Sequence, residues 1–239
     1  MLHCIVIAMF EDTSFIKPNV QTVLKRIAAA CHRSQRNPEE VTLVAVSKGV
    51  DIPYIEAAYG AGLRHFGENR VQEGNDKIPK LSALEGISWH MIGHLQSNKV
   101  KIAEELFHVI HSVDSIKLAE VISHWASHSN KRHVDFPILM QVNVAGEASK
   151  QGFAVSEVVP AFKTISRLPK VKIQGLMTIA PFASNPEQAR PVFRRLRQLR
   201  DEVGTKELSM GMTDDFEVAI EEGATMLRIG RAIFSPKNK

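Results

Sequence analysis

Short runs dense in aliphatic and β-branched residues alternate along this chain with longer stretches whose apolar positions recur every three or four residues. The first pattern is that of buried strands and the second that of amphipathic helices packed on one face. After a first helix at about Val20 to Arg33, the strand candidates are Val41–Ser47, His65–Asn69, Ser88–Gly93, His108–Val113, Phe136–Val144, Val171–Ile179, Glu207–Gly211 and Met226–Gly230. Strand-helix alternation of this kind predicts an α/β fold. The eight strand starts are spaced about 26 residues apart, the spacing of a (β/α)8 barrel. The pattern therefore predicts a single-domain TIM (β/α)8 barrel with an extra N-terminal helix, occupying residues 18–239, behind a poorly informative segment over residues 1–17. The rival, a doubly wound open sheet, calls for a GxGxxG turn after its first strand, and Ser47-Lys48-Gly49-Val50-Asp51 does not supply one.

Composition adds limits. The 30 Lys and Arg nearly balance the 26 Asp and Glu, a net charge of +4, which gives no sign of a nucleic-acid partner. The two cysteines, Cys4 and Cys31, have neither CxxC nor zinc-site spacing and suit a reducing compartment. The apolar run Leu2 to Phe10 is far shorter than the roughly 18 residues of a spanning helix, and no basic residue precedes it. The expectation is a cytoplasmic protein with no membrane partner, and a monomer.

In a barrel, ligands collect where strands end. Lys48 stands on the face of Thr42, Val44 and Val46, atop a mostly apolar column, where desolvation would favour a neutral, nucleophilic amine. After the seventh and eighth strands, Ser209-Met210-Gly211-Met212 and Ile229-Gly230-Arg231 offer small residues and backbone amides where barrel phosphate sites form. An amine for an aldehyde, facing a phosphate cup, is what pyridoxal 5'-phosphate requires. Each feature also has an ordinary reading, as a strand-end lysine reaching water or as turn glycines.

The motifs Ala45-Val46-Ser47-Lys48, Phe66-Gly67-Glu68-Asn69, Val71-Gln72-Glu73, Trp89-His90 with Ile92-Gly93-His94-Leu95-Gln96-Ser97-Asn98-Lys99, Ser149-Lys150-Gln151-Gly152, Gly175-Leu176-Met177, Leu208-Ser209-Met210-Gly211-Met212 and Arg228-Ile229-Gly230 occur in that order. By them the chain resembles the pyridoxal-phosphate homeostasis protein family, single-domain proteins similar to the alanine racemase N-terminal barrel. The resemblance implies a Schiff base on Lys48. It implies phosphate contacts from Ser209 and from the backbone around Gly211, Gly230 and Arg231. It places Arg228 against the pyridine nitrogen, Asn69 near the ring, and Met177 and Met210 among the cofactor contacts. Two departures bear on the phosphate: Arg231 stands where relatives carry Ser or Thr, and Ser235-Pro236 follows Phe234 where a Gly is usual.

Arg228 can only donate a hydrogen bond, so a ring nitrogen facing it stays unprotonated and the ring is a weak electron sink. The resemblance implies that racemases with such an arginine add a second base from a further β-domain, for which the nine residues after Gly230 leave no room. The expected function is thus storage, buffering or delivery of the cofactor, with recipient apoenzymes as partners and no catalytic residues. A small racemase or decarboxylase, and a partner-binding regulator with a structural cofactor, are the alternatives. Lys150, beyond the fifth strand, is a candidate amine for handing the cofactor on.

Other clusters carry less. His124 with His128, and His90 with His94, lack an HExxH glutamate or a third ligand, so no metal is expected. Arg194, Arg195, Arg197 and Arg200 read as the solvated face of a helix buried through Phe193, Leu196 and Leu199.

Overall fold

The computed structural model describes residues 12–129, 134–147 and 150–236. The apolar run over residues 2–10, Cys4 and Ser149 lie outside them. Eight parallel strands close a barrel in sequence order: β1 (Thr42–Val46), β2 (His65–Glu68), β3 (Ser88–Met91), β4 (Val109–Val113), β5 (Phe136–Gln141), β6 (Val171–Met177), β7 (Glu207–Ser209) and β8 (Met226–Ile229), with β8 pairing back on β1. All eight expected strands are present. They are shorter than the apolar runs suggest because the chain turns out at the mouth. Val142, for instance, leaves β5 and bridges Phe153.

Period-two alternation sends one face of each strand into the barrel and the other towards the helices. Leu43 and Ala45 thus join the large core between sheet and helices, whereas Val109, Leu139, Met177 and Met226 form a separate apolar cluster. Closure leaves little room in places. A side chain at Gly175 on β6 would lie 1.9 Å from the Glu207 carbonyl oxygen of β7, so this glycine permits the close approach of the two strands.

Helices α2 (Ile52–Gly60), α3 (Val71–Lys77), α4 (Val100–Leu106), α5 (Ile116–His128), α6 (Val158–Ile165), α7 (Arg190–Val203), α8 (Phe216–Glu221) and α9 (Arg231–Phe234) follow the eight strands in turn. The last is a single turn. The N-terminal helix α1 (Ile16–Arg33) packs against α2, α8 and α9 and completes the outer ring where α9 is too short. Its buried residues Ile16, Val20, Val23, Ile27, Ala30 and Cys31 follow helical spacing. It starts four residues before the expected Val20, because Pro18 sits in the first turn, where a missing N–H leaves no bond unmade. The buried Asn19 amide donates to the carbonyls of Ile233 and Ser235 at 3.1 and 3.0 Å, tying the first helix to the last.

The arginine-rich face of α7 is not simply solvated, as expected from its pattern. Arg190, Arg194 and Arg197 converge on Glu222, just past α8, at 3.2, 2.9 and 3.2 Å, and the Glu222 side chain is only 4% exposed. These pairs fasten α7 to α8. Among the described residues, no helix is long and apolar enough to cross a membrane.

Candidate functional site

Lys48 follows β1 in a turn that the next glycine makes possible: Gly49 has φ +65°, in the left-handed region. The Lys48 side chain is exposed. The apolar column below it therefore does not desolvate it, contrary to the sequence expectation, because β1 ends at Val46 and the lysine stands clear of the barrel interior.

The turn is braced from α3. Lys77 Nζ donates to the Ser47 carbonyl at 2.7 Å, to Glu68 Oε1 at 3.2 Å and to Glu73 Oε1 at 2.6 Å, and Glu73 accepts from the Gly49 amide. The Ser47 hydroxyl donates to Glu68 Oε1 at 2.7 Å. Glu68 is fully buried, and burial pushes its carboxyl up against the opposing pull of the Ser47 hydroxyl and the Lys77 ammonium. Its second oxygen, Oε2, has no hydrogen-bond partner among the described residues. Nothing in the sequence read alone set Lys77 apart; only its spacing of four from Glu73 on a helix hinted at a pair.

β8 lies beside β1 with Val44 opposite Arg228, so Arg228 enters the barrel next to the strand that carries Lys48. Arg228 is 5% exposed. Its Nη1 donates to the Ser209 hydroxyl at 2.5 Å and its Nη2 to the Thr178 carbonyl at 2.8 Å, both neutral acceptors. Burial pulls its guanidinium down to about 10, with Asp215 acting the other way, so it remains charged at neutral pH.

Ser209 is fully buried and lies between Arg228 and His111, whose Nδ1 is 2.9 Å from the hydroxyl. The line continues from His111 Nε2 to His90 Nδ1 at 2.9 Å and from His90 Nε2 to His65 Nδ1 at 3.0 Å. Sequence reading paired His90 with His94, but the two part at the strand end. His94 turns to Asp114 at 3.3 Å. The signal that could have found the line is one inward-facing histidine on each of three successive strands, β2, β3 and β4.

The remaining expected residues divide. Gly211, at φ +90°, turns the loop after β7, and a side chain there would meet Ala219 Cβ at 2.6 Å. Gly230 precedes α9, whose first N–H groups have no acceptor within the helix. Arg231 is exposed, and its guanidinium pairs with Asp214 across the two loops. Met177 lies in the interior cluster, paired with Ser209 across β6 and β7, while the Met210 side chain packs in the outer core. Asn69 is half-buried at the end of β2 against Gly93, where an added side chain would lie 2.2 Å from the Asn69 carbonyl oxygen. Lys150 shares a cavity at the mouth with Ile179, Phe182, Met212 and Asp214.

Residues 22–237 match the family described as alanine racemase, N-terminal domain. The chain is 44% identical over 221 residues to the pyridoxal phosphate homeostasis protein of Aquifex aeolicus, covering 90% of this chain and 95% of that one. The solved structure of PipY from Synechococcus elongatus with pyridoxal phosphate bound superposes with a TM-score of 0.77 at 37% identity, over 89% of this chain and all of that one. Alanine racemase from Corynebacterium glutamicum superposes with a TM-score of 0.70 at 16% identity, over 94% of this chain and 62% of that one, which is a likeness of fold. The chain belongs to the pyridoxal phosphate homeostasis protein family, within the alanine racemase N-terminal-domain family.

Proposed function

We propose that this chain binds pyridoxal 5'-phosphate on Lys48 as a Schiff base and stores, buffers or delivers the cofactor, without turning over a substrate of its own. One observation carries the reading: an exposed amine at the end of β1 stands next to a strand holding a buried, charged guanidinium that forms no ion pair with a carboxylate among the described residues. The donor set fits the cofactor. It combines a primary amine, glycine-turned loops after β7 and β8, and a donor-only group beneath the mouth. When bound, the cofactor supplies an aldehyde that an amine takes up reversibly with loss of water.

The residues then have distinct tasks. Lys77 and Glu73 hold the turn, so that Lys48 Nζ is presented at a fixed place while its side chain stays open to exchange. The backbone around Gly211, Gly230 and Arg231 holds the phosphate, with the Arg231 guanidinium drawn aside by Asp214. Ser209 supports this site from below, through Arg228, rather than from the phosphate side. Arg228 faces the ring nitrogen, Asn69 and Met177 border the ring, and Met210 contributes only its backbone. A protein open in this way, acting as a cytoplasmic monomer, can release its cargo to recipient apoenzymes, with Lys150 at the mouth as the transferring amine. The racemase or decarboxylase reading has no observation in its favour: a donor-only arginine keeps the ring a weak electron sink.

The test is reduction with borohydride after loading with pyridoxal 5'-phosphate, followed by peptide mapping. The adduct is expected on Lys48 and lost in Lys48→Ala, while pyridoxal without phosphate loads far less. An adduct mainly on another lysine would overturn the site.

A further inference from the structure

We propose that His111 is a positioning residue: with His90 and His65 behind it, it forms a one-way hydrogen-bond relay that fixes the Ser209 hydroxyl and so holds Arg228 as a donor towards the cofactor ring. The purpose of the relay rests on the cofactor reading above; its existence does not.

The direction follows from elementary valence. A guanidinium has no acceptor, so at the 2.5 Å contact Arg228 donates and the Ser209 oxygen accepts. The serine proton then goes to the other neighbour, and His111 Nδ1 at 2.9 Å must accept it. A neutral imidazole with Nδ1 accepting carries its hydrogen on Nε2, which points at His90 Nδ1 at 2.9 Å. The same logic puts the His90 hydrogen on Nε2, donated to His65 Nδ1 at 3.0 Å. Five side chains from β8, β7, β4, β3 and β2 thus share one sense of donation, all starting from Arg228.

This sense has an electrostatic consequence. Each hydroxyl or imidazole dipole turns its negative end towards the guanidinium, so a charge that is 5% exposed and forms no ion pair with a carboxylate among the described residues is stabilised by neutral groups as well as by the Asp215 charge. A carboxylate in their place would neutralise Arg228 towards a ligand. Oriented dipoles hold the guanidinium without forming an ion pair with it.

The histidines must stay neutral for the relay to hold. Burial lowers all three, His90 to about 3 with His65 and His108 facing it, and His111 well below the ordinary imidazole value through burial, His90 and the Arg228 charge. Protonated His111 would present a hydrogen to Ser209 from the same side that must accept one, and the hydroxyl would then stand between two donors.

The experiment has two arms. In the cofactor-free full chain, nitrogen-15 spectra of the imidazoles at neutral pH should show His65, His90 and His111 neutral with hydrogen on Nε2; hydrogen on Nδ1 of His111 overturns the relay. In the second arm, pyridoxal 5'-phosphate is compared with its analogue carrying carbon in place of the ring nitrogen. The wild type should prefer the nitrogen ring at least about tenfold, since the bond to a charged donor is lost in the analogue. His111→Phe should lose most of that preference, and His111→Asn, whose carbonyl can accept from Ser209, should regain it. Equal weakening towards both ligands in His111→Phe would mark a purely structural role and overturn the proposal. His111→Asn answers the same question should His111→Phe not fold. Failure of the wild type to bind pyridoxal 5'-phosphate would sink the cofactor reading instead, and the imidazole spectra would then judge the relay alone.

Discussion

Two buried charges in this barrel are treated in opposite ways. Glu222, in the outer layer, is 4% exposed on its side chain and surrounded by Arg190, Arg194 and Arg197. Arg228, inside the barrel, is similarly buried but among the described residues its hydrogen bonds go to a hydroxyl and a carbonyl, with the Asp215 charge acting without an ion-pair contact. The first arrangement spends all its charge within the protein and joins two helices. The second leaves the guanidinium without an ion-pair contact among the described residues. Full ion pairing marks a structural contact here, and incomplete pairing is what the proposed cofactor site requires of Arg228.

The sharpest way to break that contrast is to strand a charge deliberately. Lys77→Met removes the cation beside Glu68, whose carboxylate is fully buried, and should cost about 3 kcal/mol in denaturant unfolding at neutral pH. The loss should shrink on mild acidification, as Glu68, already raised by burial, takes up a proton. An effect below the error of the measurement would show that the brace under Lys48 does not hold its turn.

Next in size is a pH dependence inside the barrel. His65, His90 and His111 are all lowered by burial, so between about 6.5 and about 3 the unfolded chain binds more protons than the native barrel. Their contribution to stability is therefore complete above the ordinary imidazole value and falls as pH drops through that window. His90→Gln should flatten the slope by up to one proton, or about 1.4 kcal/mol per pH unit. An unchanged slope in urea titrations across that window would remove His90 from the buried line.

Glu222→Gln should cost somewhat less, about 1–2 kcal/mol, since the arginines it releases are partly exposed and regain water. Calorimetry checks it. The smallest effect should come from the most buried of these cations. Arg228→Met relieves the desolvated charge but leaves Ser209 and Thr178 without their donor, so apo stability should change by no more than about 1 kcal/mol. A large stability loss in Arg228→Met would make Arg228 a structural residue like Glu222 and end the comparison.

Much of this was legible along the chain. Alternation of apolar runs and helical periods gave eight strands in order, and period two placed Lys48 on the face of Thr42, Val44 and Val46. What it could not give was contact between distant strands. The family resemblance made Ser209 a phosphate ligand. In the barrel its hydroxyl is taken by His111 and Arg228, which lie 98 and 19 residues away. The α7 arginines read as solvated because their own helix offers them water, while Glu222 reaches them only once α8 has packed.

The sequence by itself determined the elements, their order and the candidate chemistry, because these rest on local periodicity and on residue types that few sites require. Tertiary structure alone decided which polar groups satisfy one another. Hydrogen bonds act over about 3 Å, and only closure of the barrel brings β2, β3, β4, β7 and β8 within that reach. The exposure of Lys48 belongs to the same class, since it depends on where β1 stops and on how α3 grips the turn that follows.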